Sequence, residues 1–342
     1  MMPNHRSPHC MEGSPGRVVC FGEAMLRHAP SPQGWTGRTV TLDGTAQAVT
    51  PGGAEYNVAC ALARLGGEAT WVSAVPEAGA REVLEPARSA SVHLELVESA
   101  HPLGTYRVIP EMASVEYDRS DSAFAHLEPG AIDWRARLSG ARWLVVSGIT
   151  PLLGEGPHAN WSAALTFAEL GGTLVALDLN HRPQLGTFEQ LWAKVEPRLR
   201  QLHLLVLSPA ALETMTGEAS ERAVEGLRER WNLPYVACTW KQDLGDGRQS
   251  RWSVMAHPLG VASTETRPVT HSPVEALGGG DAWLAGAIDG LIGGLEAEAV
   301  CHRGDLLAAL TQATFGDLGE VTREQLSRLE SIEGRCDVTG TG

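Results

Sequence analysis

The stretch Val274-Glu275-Ala276-Leu277-Gly278-Gly279-Gly280-Asp281 runs directly into the apolar pattern Ala282-Trp283-Leu284-Ala285-Gly286-Ala287-Ile288. Three consecutive glycines let the backbone turn through positive φ and gather unobstructed N–H groups at one point, where the positive end of a helix favours an anion. A carboxylate immediately after such a loop repels phosphate, so Asp281 is placed to take a proton from a hydroxyl or to hold a cation. Cradle plus base points to phosphoryl transfer. A plain strand-to-helix turn, with Asp281 stabilising the first helical turn through the dipole, reads equally well from these residues alone.

Outward from that junction, β-rich runs alternate with helical patterns from Arg17 onward, which predicts an α/β fold with a parallel sheet covered by helices. The predicted strands are Val18 to Phe21, Ala69 to Val75, Trp143 to Ser147, Leu174 to Asp178, Leu204 to Leu207 and Tyr235 to Thr239. The predicted helices include Ala54 to Leu65, whose Val58, Leu62 and Leu65 share one face, His158 to Leu170, Thr187 to Leu199 and Glu221 to Arg230. Two regions break the rhythm, Arg27 to Thr50 and His101 to about Ala125. In the second, Tyr106 to Pro110 and Val115 to Tyr117 read as a hairpin around Glu111 to Ser114. Strands without intervening helices predict either a small projecting sheet that acts as a lid (segments about 27–50 and 101–125) or two ordinary surface insertions. The expected organisation is a flexible tail over 1–16, one domain over 17–333 and a flexible tail over 334–342.

The net charge of −14 disfavours broad binding to nucleic acid or to an anionic membrane, both of which need a basic surface. No stretch is long and apolar enough to span a bilayer, and residues 1–16 lack the apolar core of a signal peptide. The cysteines (Cys10, Cys20, Cys60, Cys238, Cys301, Cys336) form no CxxC pair or zinc-spaced cluster, so they read as reduced thiols of a cytoplasmic protein. The histidines read as isolated structural or surface groups. The chain has no GxxxxGK[ST], HExxH or GxSxG, and no GxGxxG follows the first strand, which removes the commonest nucleotidase, metalloprotease, esterase and dinucleotide-oxidoreductase signals.

Ligands of open α/β sheets bind at the carboxyl ends of the strands. Those ends are polar or glycine-rich here: Gly22-Glu23, Pro51-Gly52-Gly53-Ala54-Glu55-Tyr56-Asn57, Ser147-Gly148-Ile149-Thr150 and Asp178-Leu179-Asn180-His181-Arg182. Gly52 and Gly53 would let a polyol lie against the backbone while Asn57 offers a donor and an acceptor; a tight turn before a helix accounts for the same residues. Arg119 and Arg182 are candidate forks for a substrate carboxylate, or ordinary solvated surface arginines.

Taken together, VVCFGEAMLR, GGAEYNVACALARLGG, YDRSDSAFAHLEPG, SGITPLL, DLNHRPQL, VEALGGGDAWLAGAIDGL and GDLGEVTREQL resemble, in the family's order, the PfkB-type carbohydrate kinases, and within them the 2-keto-3-deoxygluconate kinases. The resemblance runs from about Val18 to Glu333. It implies a ribokinase-like, doubly wound, mostly parallel sheet with helices on both faces and a β-sheet lid that commonly forms the contact of a homodimer or higher homo-oligomer. It implies Asp281 as the base, Gly278, Gly279 and Gly280 as the anion hole, and Gly52, Gly53 and Asn57 as the sugar-binding turn. It further implies that Tyr106, Tyr117, Arg119, Ile149 and Arg182 contact the keto acid and that Thr239, Gly278 and Gly280 lie on the nucleotide side. ATP and Mg²⁺ are the implied cofactors, with a monovalent cation as a further activator, and the implied reaction phosphorylates the 6-hydroxyl of 2-keto-3-deoxygluconate. The chain departs from the family at Ser208-Pro209-Ala210-Ala211, where an Asn-x-x-Glu motif is usual, at Glu275-Ala276, and at Thr239-Trp240-Lys241-Gln242. Fructose or another sugar or sugar acid is the alternative substrate, and a catalytically weakened sugar- or nucleotide-binding homologue the alternative function.

Overall fold

The computed structural model of the chain describes residues 16–110, 114–331 and 336–338. Residues 1–15, 334–335 and 339–342 of the expected tails, and 111–113 of the expected hairpin turn, lie outside the described residues. An eleven-stranded sheet, with strands numbered along the chain, holds β1 (Arg17–Phe21), β5 (Ala69–Pro76), β6 (His93–Ser99), β9 (Ala141–Ser147), β10 (Leu174–Asp178), β11 (Leu204–Leu207), β12 (Tyr235–Asp243), β13 (Gln249–His257), β14 (Gly260–Ser263), β15 (Val269–His271) and β16 (Cys336–Asp337). A smaller, five-stranded sheet holds β2 (Met25–Pro30), β3 (Thr39–Leu42), β4 (Thr45–Gly52), β7 (Gly104–Ile109) and β8 (Ser114–Asp118). The helices are α1 (Ala54–Arg64), α2 (Arg81–Ser89), α3 (Trp134–Leu138), α4 (Glu155–Gly171), α5 (Phe188–Val195), α6 (Pro209–Thr216), α7 (Glu221–Trp231), α8 (Gly279–Ile292), α9 (Ala297–Gln312) and α10 (Arg323–Glu330).

The large sheet has the order β6-β5-β1-β9-β10-β11-β12-β13-β15-β16, with β14 on β13, and is parallel from β6 to β12. Its inner strands are continuous apolar runs because both faces are covered. In β1, Val18 and Cys20 point into one core, shared with α1, α8 and α9, while Val19 and Phe21 point into the other, shared with α4, α5 and α7. This is the doubly wound arrangement. From β1 the chain first builds outward through β5 and β6, then crosses to β9, so the order reverses between β1 and β9. The crevice at that reversal is where such sheets take ligands. Gly22-Glu23 and Ser147–Thr150 border it.

The second sheet, in the order β3-β4-β2-β7-β8, is assembled from both regions that break the α/β rhythm. β2 pairs with β7 in parallel, and the other pairs are antiparallel. Its strand β4 ends at Gly52, from which the chain enters α1.

Several boundaries differ from the sequence expectation. The helix expected over Thr187 to Leu199 ends at Val195 and continues as a 3-10 turn over Glu196–Gln201, because Pro197 has no N–H to donate. β12 extends to Asp243 by pairing with β13, so Thr239 stands in mid-strand. The expected C-terminal tail instead contributes β16, which pairs with β15, and Val338 is buried beside it. Cys20, Cys60, Cys238, Cys301 and Cys336 are buried free thiols. Among the described residues no helix is long and apolar enough to cross a membrane.

Candidate active site

The N-terminus of α8 opens at the carboxyl end of the sheet. Gly278 takes a left-handed conformation (φ 70°), and a Cβ there would run into the backbone carbonyl of Asp317. A Cβ on Gly279 would sit 2.7 Å from Gln312 Nε2 and 3.0 Å from Arg251 Nη1, whereas Gly280 faces open space. The Ala282 N–H bonds the Gly278 carbonyl at 2.9 Å, so the N–H groups of Gly279, Gly280 and Asp281 precede the first intrahelical bond and are free to face a ligand. Directly behind the loop lies Arg251 of β13, only 5% exposed. Its guanidinium donates to Gln312 Oε1 at 2.9 Å, and its Nε has no partner. Burial lowers its affinity for a proton, and the charge of Asp305 offsets this in part.

Asp281, in the first turn of α8, accepts a 2.7 Å hydrogen bond from Asn57 Nδ2. Asn57 is set in place by its own N–H, which bonds the Gly53 carbonyl at 2.8 Å. Gly52 packs against the Tyr106 hydroxyl and Asp317, and Gly53 against the Glu23 carbonyl, so a side chain at either position would fill this turn. The Asn57 Oδ1 atom is buried without a partner among the described residues and is available to a ligand hydroxyl. Burial raises the Asp281 carboxyl well above the ordinary carboxylate range; Asn57 and Arg182 oppose the rise, while Asp178 and Asp317 add to it. Asp178 is itself raised to about 6 by burial, against Arg182 and the Asn180 N–H. Glu55 is raised to about 7 by burial, against hydrogen bonds from Ser147.

The structure thus gathers Gly278, Gly279, Gly280, Asp281, Gly52, Gly53, Asn57 and Arg182 at one cleft. Arg182 lies near enough to Asp178 and Asp281 to stabilise both carboxylates, and its Nη1 lies 3.5 Å from the His181 carbonyl oxygen. Arg119 differs: it is buried, its Nη1 lies 3.2 Å from Glu23 Oε2, and it stacks 4.3 Å over the Tyr117 ring. Ser122 Oγ donates to the other Glu23 oxygen at 2.6 Å. Tyr106 faces Tyr117 across the β7–β8 ladder, and its hydroxyl donates to Asp317 Oδ2 at 2.7 Å. Ile149 is half-buried just past β9 at the order reversal. Thr239 stands opposite Ser253, whose hydroxyl accepts from Trp283 of α8 at 3.1 Å.

Residues 16–233 match the pfkB family of carbohydrate kinases. The chain is 30% identical over 328 residues to a 2-dehydro-3-deoxygalactonokinase of Haloferax volcanii, covering 91% of this chain and 96% of that protein. It belongs to the pfkB family of carbohydrate kinases. A 2-dehydro-3-deoxygluconokinase of Bacillus subtilis is 25% identical, with 92% and 96% coverage. The crystal structure of the 2-dehydro-3-deoxygluconokinase of Thermotoga maritima superposes with a TM-score of 0.84 at 25% identity, over 93% of this chain and 98% of that one.

The kinase's site includes charged groups that the sequence pattern did not single out. Arg27 of β2 is fully buried, pairs with Glu275, and holds its Nε 3.3 Å from Asp317 Oδ1 and its guanidinium 4.8 Å over the Phe315 ring. Glu275 in turn accepts the Gly316 N–H at 2.6 Å. A guanidinium therefore joins the second sheet to the loops on both sides of the α8 N-terminus. At the start of α6, Ser208 is spent as the N-cap, accepting from the Ala211 N–H at 3.2 Å, and Ala211 is buried, so that corner offers a cation no carboxylate. The carboxyl of Asp178, raised by burial and itself raising Asp281, fits a hard cation better, because a divalent ion there would relieve that repulsion.

Proposed function

We propose that this sugar kinase transfers the γ-phosphoryl group of ATP to the terminal hydroxyl of a 2-keto-3-deoxy sugar acid, the 6-hydroxyl of 2-keto-3-deoxygluconate or of its galactonate epimer. The observation that carries the reading is a raised carboxyl, Asp281, held by Asn57 at the mouth of a glycine-lined helix N-terminus, with the Arg182 guanidinium beside it. Asn57 holds one Asp281 oxygen, and the other accepts the proton of the sugar hydroxyl as the hydroxyl oxygen bonds to the γ-phosphorus and the bond from that phosphorus to the β-phosphate oxygen breaks, releasing ADP. The N–H groups of Gly279, Gly280 and Asp281, backed by Arg251, stabilise the charge on the moving phosphoryl group. Mg²⁺, when bound, would neutralise phosphate charge, and Asp178 is the residue that would hold it. Arg182 pairs with the substrate carboxylate. Arg119 is already balanced by Glu23, so it shapes the sugar side together with Tyr117, Tyr106 and Ile149. We read the second sheet as a lid that excludes water and as the contact of a homodimer.

Coupled measurement of ADP release with both keto acids and with fructose tests this reading. The expected outcome is turnover of a keto acid that falls on the order of 10²-fold or more in Asp281→Asn. In Arg182→Ala, the acid substrate loses roughly 1.5–3 kcal/mol of transition-state stabilisation and fructose loses little. Turnover of fructose alone would refute the acid assignment. Sugar and ATP binding without turnover would mean a binding homologue.

A further inference from the structure

Beside the second sheet, two chain segments bring together side chains that look isolated in the sequence. His101 precedes β7, while Asp121 and His126 follow β8. The segments are tied by the Ala123 N–H, which bonds the Pro102 carbonyl at 2.7 Å. His101 Nδ1 lies 3.0 Å from Asp121 Oδ1, and His126 Nε2 lies 3.6 Å from the same oxygen. The two imidazoles stand face to face, with centroids 3.5 Å apart and planes within 6° of parallel.

We propose that His101, Asp121 and His126 form a site for a divalent transition-metal ion of the zinc, nickel or cobalt class. Two imidazole nitrogens and a carboxylate oxygen are the donor set these borderline ions select, whereas magnesium and calcium select oxygen alone. One ligand atom from each residue lies within 4.8 Å of the others, so an ion with bonds of about 2.0–2.2 Å reaches all three after small side-chain movements. His126 is already set for this. Its Nδ1 lies 3.2 Å from the Ser122 carbonyl oxygen, which only accepts, so Nδ1 carries the hydrogen and Nε2 presents its lone pair towards Asp121. A carbonyl that fixes the tautomer in this way is the usual partner of a metal-bound histidine.

All three side chains reach solvent, which leaves positions open for water, and the imidazole χ2 torsion is soft enough to turn the rings out of parallel onto an ion. The net charge of −14 raises the local concentration of cations. Asp121 and His126 also flank Ser122, which holds Glu23 and through it Arg119, so a bound ion would fasten the segment that leads out of the second sheet. The site stands independently of the substrate assignment.

Calorimetric titration of the full chain with zinc chloride, without nucleotide, tests the proposal. His5, His9 and Cys10 are also zinc donors, so the readout is the difference between variants rather than binding as such. The wild type should bind one equivalent more than His101→Ala/His126→Ala. Asp121→Asn, a change at an exposed position, should weaken that equivalent about 10–100-fold while leaving metal-free thermal unfolding unchanged. Anomalous diffraction at the zinc edge should place the ion between the three side chains. Equal stoichiometry and affinity in wild type and Asp121→Asn, or an ion found only elsewhere, would overturn it.

Discussion

At the scale of single residues, the site is governed by buried charges that neighbouring protein groups compensate only in part. Arg251 is the clearest of these: a nearly inaccessible guanidinium with a neutral glutamine as its hydrogen-bonding partner, placed directly beneath Gly279. Arg251 also offsets the buried Asp305 carboxyl, so removing it leaves that carboxyl less well compensated. Arg251→Met should therefore shrink the rise in melting temperature that ADP produces in wild type, over and above any change in the protein without ADP. An undiminished ADP-induced shift would show that Arg251 is structural. Glu55 gives a prediction in pH. Its folded value of about 7 lies above the ordinary 4.5, so the protonated carboxyl favours folding. That contribution is complete below about pH 4.5 and is lost as pH rises through 7, where ionisation costs on the order of 3 kcal/mol at most. Glu55→Gln should consequently stabilise the protein at pH 8 and change little at pH 4.5. Thermal unfolding at the two values decides it, and an equal effect at both would exclude the ionisation of Glu55 as the cause.

At the scale of elements, the loop entering α8 separates two uses of glycine. Gly278 combines a left-handed φ with a Cβ direction blocked by the Asp317 backbone, while Gly280 looks onto open space. Gly278→Ala should cost about 1–2 kcal/mol from conformation alone, and more from the clash. Gly280→Ala should leave stability intact or gain about 0.5–1 kcal/mol from helix propensity, yet raise the KM for ATP by standing where phosphate approaches. Melting temperatures together with ATP kinetics separate the two, and a normal KM in Gly280→Ala would remove the phosphate from this loop. The loop was legible in the sequence because three consecutive glycines interrupt any regular element and the apolar pattern of a helix begins directly after them. So were β10 and β11, apolar runs buried on both faces, whose ends coincide with the expected ones. In the second sheet the antiparallel β7–β8 hairpin was legible, but not the parallel match of β2 to β7, which joins segments that local pattern cannot relate. Arg27 and Arg251 escaped notice for a different reason: arginine is ordinarily a surface residue, and only the fold shows what lies against it. His101 and His126 escaped because their stacking is made by the path of the loop after β8.

At the scale of the whole molecule, the two sheets are joined through the site rather than beside it. Arg27 and Tyr106 belong to the second sheet, Glu275 and Asp317 to the loops around the α8 N-terminus, and the four side chains form one buried network. Asp317 is raised by burial, with Arg27 and Tyr106 holding it down, so a displacement of the second sheet changes the charge balance beside Asp281. A sugar that draws this sheet inward should therefore strengthen nucleotide binding, and by linkage the nucleotide should strengthen sugar binding by the same factor. Calorimetry of ADP with and without the keto acid measures that factor, expected at about 5-fold or more. Arg27→Met removes the guanidinium that bridges Glu275 and Asp317 and should bring the factor close to one, even where each ligand still binds alone. Tyr106→Phe removes only one hydrogen bond and should leave most of the coupling. If ADP affinity is the same with and without sugar in the wild type, the network holds the sheets together without communicating between their ligands. Coupling that survives Arg27→Met would instead place the communication in the Asn57 bridge between Asp281 and α1.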